Sequence, residues 1–161
     1  KGLPEGVIAQ VLRDRITLMP GGKVLLATMK AQGAYAALVS GGFTAFTSAV
    51  ASKRGFDENR ANTLHVAEGR LAGTVAEPIL GKEAKLAALN EITARLGIRP
   101  AEALAVGDGA NDLPMLKAAG IGVALHAKPA VQAQCEVRVN HGDLTALLFL
   151  QGYSRADFAP V

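Results

Sequence analysis

The stretch AVGDGANDLPML at residues 105–116 decides the fold of this chain. An apolar run at 103–106 leads into it, which is typical of a buried strand, and a turn with two glycines follows. A helix comes next, with Asn111 or Asp112 as its candidate N-cap and Pro114 in its first turn, where the missing N–H is tolerated. Carboxylate and amide side chains therefore gather at the carboxyl end of a strand, where open α/β sheets bind ligands.

Strands and helices alternate through the rest of the sequence. Strands are predicted at residues 35–39, 103–106, 121–125 and 136–139, and helices at about 3–15, 23–32, 43–54, 82–96, 130–134 and 143–150. Residues 61–75 differ, because two short runs around a Glu68-Gly69 turn predict a β-hairpin. Helices between strands predict a parallel sheet with right-handed crossovers, so we expect an α/β fold with a doubly wound parallel sheet.

The composition excludes several classes of protein. Half of the 161 residues are hydrophobic, 4% are aromatic, and a net charge of +3 is scattered along the chain. Without a basic run or an aromatic platform, nucleic acid is not an expected partner. No apolar stretch approaches about 18 residues, so we expect no membrane span. The single cysteine, Cys135, excludes an internal disulfide framework and indicates the reducing cytoplasm.

Two aspartates flank the turn after the strand at 103–106. Asp108 and Asp112 lie four residues apart, and two carboxylates at one sheet edge repel each other unless a cation lies beside them. Such oxygens suit Mg²⁺, which takes one or two carboxylates together with phosphate and water. Helix capping can explain Asn111 and Asp112, but Asp108 stands between two glycines where no cap is needed. The cluster therefore indicates a functional site.

A second candidate is Ser40-Gly41-Gly42, between an apolar strand and a helix. The backbone N–H groups of Gly41 and Gly42, with the Ser40 hydroxyl, would form an anion cradle at a helix N-terminus. A capping serine followed by flexible glycines is the alternative interpretation.

Lys85, near the start of the helix at 82–96, is the candidate cation for a phosphate. Asp112 could hold it in place, although a lysine there is normally solvated and Lys82 is a competitor. The histidines lack metal-ligand spacing to one another; they are His65, His126 and His141.

Several motifs resemble those of one superfamily. VSGGFT at 39–44, GKEAK at 81–85 and VGDGANDLPM at 106–115 are similar to the second, third and fourth motifs of haloacid-dehalogenase-type phosphatases. DENRAN at 57–62 and HAKP at 126–129 make the chain resemble bacterial phosphoserine phosphatases within that superfamily. The resemblance covers essentially the whole chain.

The resemblance implies an activity, Mg²⁺-dependent hydrolysis of O-phosphoserine to serine and phosphate, the last step of serine biosynthesis. One aspartate attacks the phosphate, and a second, two residues on, acts as general acid and base. The roles it implies are phosphate binding by Ser40 and Gly41, charge neutralisation by Lys85, Mg²⁺ ligation by Asp108, orientation of the transferring group by Asn111, and support of Lys85 by Asp112.

The nucleophile motif, Asp-x-Asp-x-Thr/Val, does not occur in this chain. DRIT at 14–17 has an aspartate and a threonine but no second acid two residues on. In the family, that motif and most of a helical cap precede the part that matches here. We therefore expect 1–161 to be one core domain truncated on its N-terminal side, with 1–20 as the end of the cap, and to be inactive alone.

Other functions remain open from the sequence. One is a truncated or degenerate phosphate-binding module without activity, and another is a phosphatase for a different small phosphomonoester. A cation-pumping ATPase would need long apolar spans and an Asp-Lys-Thr-Gly-Thr motif, and both are missing. Because the family places the nucleophile strand between the strands that end at Ser40 and Val106, we expect unpaired edges. The missing N-terminal segment, or exchange into a dimer, would cover them.

Overall fold

The computed structural model describes all of residues 1–161 and contains seven strands and seven α-helices. The strands are β1 Ala37–Phe43, β2 Glu58–Asn62, β3 Leu64–Ala67, β4 Arg70–Val75, β5 Leu104–Gly107, β6 Ile121–Leu125 and β7 Val137–Val139. The α-helices are α1 Val7–Asp14, α2 Gly22–Ala31, α3 Thr44–Arg54, α4 Ala84–Leu96, α5 Leu113–Ala118, α6 Pro129–Gln132 and α7 Ala146–Leu150. Short 3-10 helices cover Pro100–Glu102, Ala110–Asp112 and Arg155–Asp157.

The chain divides into two compact units, and each contains a parallel sheet. The first unit comprises Lys1–Ile79 and Asp143–Val161, and the second comprises Leu80–Gly142. The predicted α/β class and the parallel pairing of the strands are confirmed. That residues 1–161 form one domain stays a prediction.

In the first unit, β1 and β2 form a two-stranded parallel sheet that α3 connects. The strand β2 is not predicted from the sequence, because its residues ENRAN have no apolar run and no alternating pattern. The pairing is regular from Ala37 to Val39 and then shifts, so that Phe43 lies opposite Asn62. This irregularity falls at Ser40, Gly41 and Gly42.

The predicted hairpin is confirmed as the antiparallel pair of β3 and β4. Its turn uses Glu68 and Gly69, both with positive φ, at 51° and 70°. The helix expected from residue 3 begins only at Val7, because the first residues pair with β4 instead. The N–H of Gly2 donates to the carbonyl of Leu71 at 2.8 Å, which extends the hairpin by a third segment.

Hydrogen bonds join the segment Asp143–Val161 of the first unit to the residues just before α2. The carbonyl of Pro20 accepts the N–H of Leu144 at 3.2 Å, and Asp143 Oδ1 accepts the N–H of Thr145 at 2.8 Å. Gly21 has a φ of +78°, and a Cβ there would lie 2.8 Å from Asp143 Oδ1. Hydrogen bonds from the hydroxyl and N–H of Thr145 lower the pKa of Asp143.

The second unit contains the parallel sheet β5-β6-β7. The α5 helix packs so closely that a Cβ on Gly122 of β6 would lie 1.9 Å from the carbonyl oxygen of Leu116. The core between them is aliphatic; its buried members are Ala105, Leu116, Ala124, Ala127, Val131 and Cys135. This tight packing fixes the loop between β5 and α5, where the candidate aspartates lie.

The strands form three separate hydrogen-bonded sheets. Both β1 and β5 pair with a strand on one side only, so the other edge of each has no partner strand in the structure. None of the helices combines the length and the apolar character needed to cross a membrane.

Candidate active site

The second unit contains a partly buried ion pair between Lys85 and Asp112. Asp112 is 1% exposed, and the Lys85 side chain, in the first turn of α4, is 18% exposed. The Lys85 Nζ donates a hydrogen bond to Asp112 Oδ1. Lys82 precedes α4, is exposed and has no ion pair. The structure therefore pairs Asp112 with Lys85 rather than with its competitor.

The second oxygen of Asp112 supports the loop that precedes it. Oδ2 accepts the N–H of Asp108 at 3.0 Å and the N–H of Gly109 at 2.9 Å. Asp112 occupies the N-cap position of α5, as predicted, but its side chain makes no capping hydrogen bond to that helix. Residues 110–112 form a 3-10 turn before α5, and the carboxylate points back towards β5 instead of towards the helix. Both carboxylate oxygens of Asp112 are therefore engaged within the protein.

The glycines beside Asp108 make room for neighbouring side chains. A Cβ on Gly107 would lie 2.4 Å from the Cβ and Cγ of Asp112, and a Cβ on Gly109 would lie 2.5 Å from Asn111 Oδ1. From the sequence alone, these glycines indicate a function at Asp108. The structure gives a simpler cause at Gly107, since a side chain there would clash with Asp112. At Gly109 the close atom belongs to the end of the exposed Asn111 side chain, which can move.

Asp108 itself is exposed at the carboxyl end of β5. Its backbone is held on both sides, because its N–H donates to Asp112 and its carbonyl accepts the N–H of Lys128 at 3.3 Å. Its carboxylate has no hydrogen bond or ion pair, so it is available to an external cation. Asn111 is exposed three residues later.

The donor set is compatible with Mg²⁺ but small. No three side chains of the His, Cys, Asp or Glu type are grouped to hold a metal. Asp108 would therefore be a single carboxylate ligand, which agrees with the habit of Mg²⁺ to keep several waters and to take one or two carboxylates with substrate phosphate.

Ser40 and Gly41 lie in the irregular part of β1, in the first unit. The pairing advances by four residues along β1, from Val39 to Phe43, but by only two along β2. Ser40 Oγ accepts the N–H of Gly42 at 3.0 Å. The predicted anion cradle is thus wrong in one part, because this N–H of Gly42 is bonded within the loop. The hydroxyl of Ser40 and the exposed backbone of Gly41 remain as its candidate donors.

The environment of Gly41 is open on one side and anchored on the other. A Cβ on Gly41 would meet no atom within 4 Å, and its φ is not positive. Its carbonyl accepts a hydrogen bond from Asn62 Nδ2 at 3.0 Å. In the sequence, the stretch 57–62 contributes only to a family resemblance, and nothing there predicts a role for Asn62.

The remaining candidates have ordinary structural surroundings. His65 shares a hydrogen bond with Thr74 across the hairpin, at 3.0 Å from Nδ1 to Oγ1. His126 follows β6 with a φ of +46°, and its N–H donates to the carbonyl of Val139 at 2.8 Å. Cys135 is buried in the aliphatic core of the second unit.

Comparison with known proteins gives consistent matches. Residues 1–117 match the family described as haloacid dehalogenase-like hydrolase. The chain is 43% identical over 154 residues to a phosphoserine phosphatase of Albidiferax ferrireducens, covering 93% of this chain and 65% of that protein. It is 40% identical over 156 residues to a phosphoserine phosphatase of Streptomyces coelicolor, covering 97% of this chain but 38% of that protein. The chain thus spans less than two thirds of these curated relatives.

Solved structures give the same result for the fold. A structure described as a phospho-aspartyl intermediate analogue of phosphoserine phosphatase superimposes with a TM-score of 0.86 at 35% sequence identity. The match covers 93% of this chain and 71% of that one.

Proposed function

Because the chain belongs to the haloacid dehalogenase-like hydrolase family, we propose that it carries the supporting residues of a Mg²⁺-dependent phosphoserine phosphatase. The reaction is the hydrolysis of O-phosphoserine to serine and phosphate, the last step of serine biosynthesis. The observation that carries the proposal is the Lys85–Asp112 pair, in which one buried carboxylate holds a lysine and the backbone of Asp108. Phosphoryl transfer depends mainly on such pre-positioned charges.

Lys85 neutralises charge on the transferring phosphate in this proposal. Asp112 restricts the ammonium group to one position, so that little reorganisation is needed when the substrate binds. Asn111 is exposed close to this pair and orients the transferring group. Ser40 and the N–H of Gly41 donate hydrogen bonds to phosphate oxygens.

Asp108 would hold the metal through its free carboxylate. When bound, Mg²⁺ supplies positive charge that stabilises the phosphate oxygens in the transition state. The chain's own contribution is to fix the Asp108 backbone through Asp112 and Lys128.

The attacking aspartate is proposed to lie outside these 161 residues. None of the aspartates of the chain is followed by another acid two residues later with a Thr or Val after that. We therefore propose that the chain alone is inactive. A strand carrying the nucleophile would use a free edge of β1 or β5, and an exchanged dimer is the alternative. Size-exclusion chromatography of residues 1–161 tests the proposal that a free strand edge needs a partner. A sharp monomer peak with cooperative unfolding would contradict that proposal.

A phosphate-binding module without activity is the second candidate. The two candidates differ in turnover, since only the phosphatase releases inorganic phosphate from O-phosphoserine.

The test uses the natural gene product that contains these residues. Phosphate release from O-phosphoserine, O-phosphothreonine and p-nitrophenyl phosphate is measured with and without Mg²⁺. We expect preference for O-phosphoserine, and a fall in kcat of about 100-fold or more in Lys85→Met, the size of effect seen when one electrostatic group is removed from an active site. Lys82→Met is the matched control and should keep wild-type kcat.

Three outcomes would contradict the proposal. An equal fall in kcat in Lys85→Met and Lys82→Met would mean that the ion pair of Lys85 has no special role. Preference for another ester would place the chain in the same family with a different substrate. Phosphate binding without turnover would favour the module without activity.

A further inference from the structure

The irregularity in β1 separates its backbone from the parallel ladder. Between Val39 and Phe43, β1 has two residues more than the opposite part of β2. Extra residues in one strand lie outside the regular pairing of the two strands. The backbone groups of such a segment need other partners, which a side chain or the solvent can supply.

Asn62 supplies one of these partners. It is the last residue of β2, lies opposite Phe43 and is 7% exposed. Its Nδ2 donates to the carbonyl of Gly41 at 3.0 Å. Because this side chain is buried, its position and that of the Gly41 carbonyl depend on each other.

The same peptide group is held at its other end by Ser40. The N–H of Gly42 belongs to the peptide unit of the Gly41 carbonyl, and it donates to Ser40 Oγ at 3.0 Å. A peptide unit is planar, so fixing the carbonyl also fixes the N–H. A serine oxygen that already accepts this N–H keeps its own O–H as a donor to another group.

We propose that Asn62 is a positioning residue of the phosphate-binding loop, defined as residues 40–42. It fixes the Gly41–Gly42 peptide and, through that peptide, directs the Ser40 hydroxyl as a hydrogen-bond donor to phosphate. The proposal rests on the proposed function, in which Ser40 binds phosphate. Asn62 itself does not touch the substrate.

Asn59 on the same strand provides a matched control. Its Oδ1 accepts hydrogen bonds from Thr47 Oγ1 at 2.8 Å and from Ser48 Oγ at 3.4 Å. Asn59→Asp keeps an oxygen at this acceptor position. Asn62→Asp replaces a donor by an oxygen that faces the Gly41 carbonyl, so the same substitution has opposite consequences at the two positions.

The experiment compares Asn62→Asp, Asn59→Asp, Ser40→Ala and the Asn62→Asp/Ser40→Ala double variant in the natural gene product. Calorimetry measures the dissociation constant of inorganic phosphate, and steady-state kinetics measure KM and kcat for O-phosphoserine. Asn62→Asp should weaken phosphate binding about tenfold, the effect of losing one hydrogen bond and its geometry. The dissociation constant of phosphate for Asn59→Asp should stay within about twofold of the wild-type value, because this position is not in contact with the phosphate-binding loop.

The double variant separates positioning from general damage to the fold. If Asn62 acts through Ser40, Ser40→Ala should lower phosphate affinity much less in the Asn62→Asp background than in the wild type. Independent effects that multiply would overturn the proposal. Equal phosphate affinity in Asn62→Asp and Asn59→Asp would also overturn it.

Two further results have defined meanings. If Asn62→Asp fails to fold, Asn62→Ser, which removes the donor without adding charge, takes its place under the same criteria. If the wild type neither binds phosphate nor hydrolyses O-phosphoserine, the proposed function and this inference both fail. Wild-type activity together with an unaffected Asn62 variant refutes only the inference.

Discussion

Replacement of Asp112 by asparagine keeps the shape of the side chain and removes its charge. The two N–H groups that it accepts, at 3.0 and 2.9 Å, would then meet a neutral oxygen, and each hydrogen bond would weaken by about 1 kcal/mol. Loss of the attraction to Lys85 adds about 1–2 kcal/mol, less than in a fully buried pair because Lys85 is 18% exposed. We expect Asp112→Asn to lower the free energy of unfolding by about 3 kcal/mol, a large part of the stability of a typical domain.

Urea unfolding followed by circular dichroism measures this change. The series contains the wild type, Asp112→Asn, Lys85→Met, the double variant and Lys82→Met as a control. The coupling energy between positions 85 and 112 should be about 1–2 kcal/mol, in the range found for residues in contact. Lys82→Met should leave the unfolding midpoint unchanged, because Lys82 makes no ion pair.

The reasoning would be refuted by either of two results. One is an Asp112→Asn protein as stable as the wild type, which would mean that the carboxylate does not hold the loop. The other is a coupling energy near zero, which would mean that Lys85 and Asp112 contribute independently despite their contact.

Further predictions concern the glycines, the metal and acid stability. Gly107→Ala should destabilise the protein by about 1–3 kcal/mol in thermal unfolding, through the clash with the side chain at position 112. Gly41→Ala should keep the wild-type Tm, since its Cβ meets only open space. Its phosphate affinity in calorimetry should fall, because Gly41 is a proposed phosphate-binding residue. Loss of stability in Gly41→Ala would contradict this. Asp108→Asn should weaken Mg²⁺ binding about tenfold in a calorimetric titration, and equal affinity would exclude Asp108 as a ligand. Hydrogen bonds from Thr145 lower the folded-state pKa of Asp143. The Asp143 carboxylate therefore stabilises the fold above its unfolded-state pKa, and this stabilisation is lost as pH falls through the folded-state pKa. Asp143→Asn should show a flatter dependence of Tm on pH below about 4, and an unchanged acid profile would count against this prediction.

The sequence predicted the elements that have strong periodic patterns. The hairpin around Glu68 and Gly69, the helix that ends at Gly97 and the strand at 121–125 all occur in the structure. These segments can be predicted from neighbouring residues alone, through turn residues that favour positive φ and through continuous apolar runs. The strand β2 could not be found in this way, because it is polar and is defined by its pairing with β1.

The sequence indicates a set of candidate site residues, which stays a prediction, and it could not show how these residues are arranged. The spacing of Asp108 and Asp112 could not show that Asp112 points backwards, since this depends on the 3-10 turn at 110–112. Nor could it show the bond from Gly42 to Ser40, which removes one donor from the expected cradle. The hydrogen bond of Asn62 could not be predicted, because it joins residues that are 21 positions apart.

The backward-pointing carboxylate of Asp112 limits how this loop can change during evolution. One side chain holds a lysine on α4 and two backbone N–H groups after β5, and it fills the space that a side chain at Gly107 would need. A substitution at any of these positions therefore removes support from the others. Single substitutions at positions 85, 107 and 112 should therefore yield few stably folded variants, while exposed positions on α4 should accept most replacements.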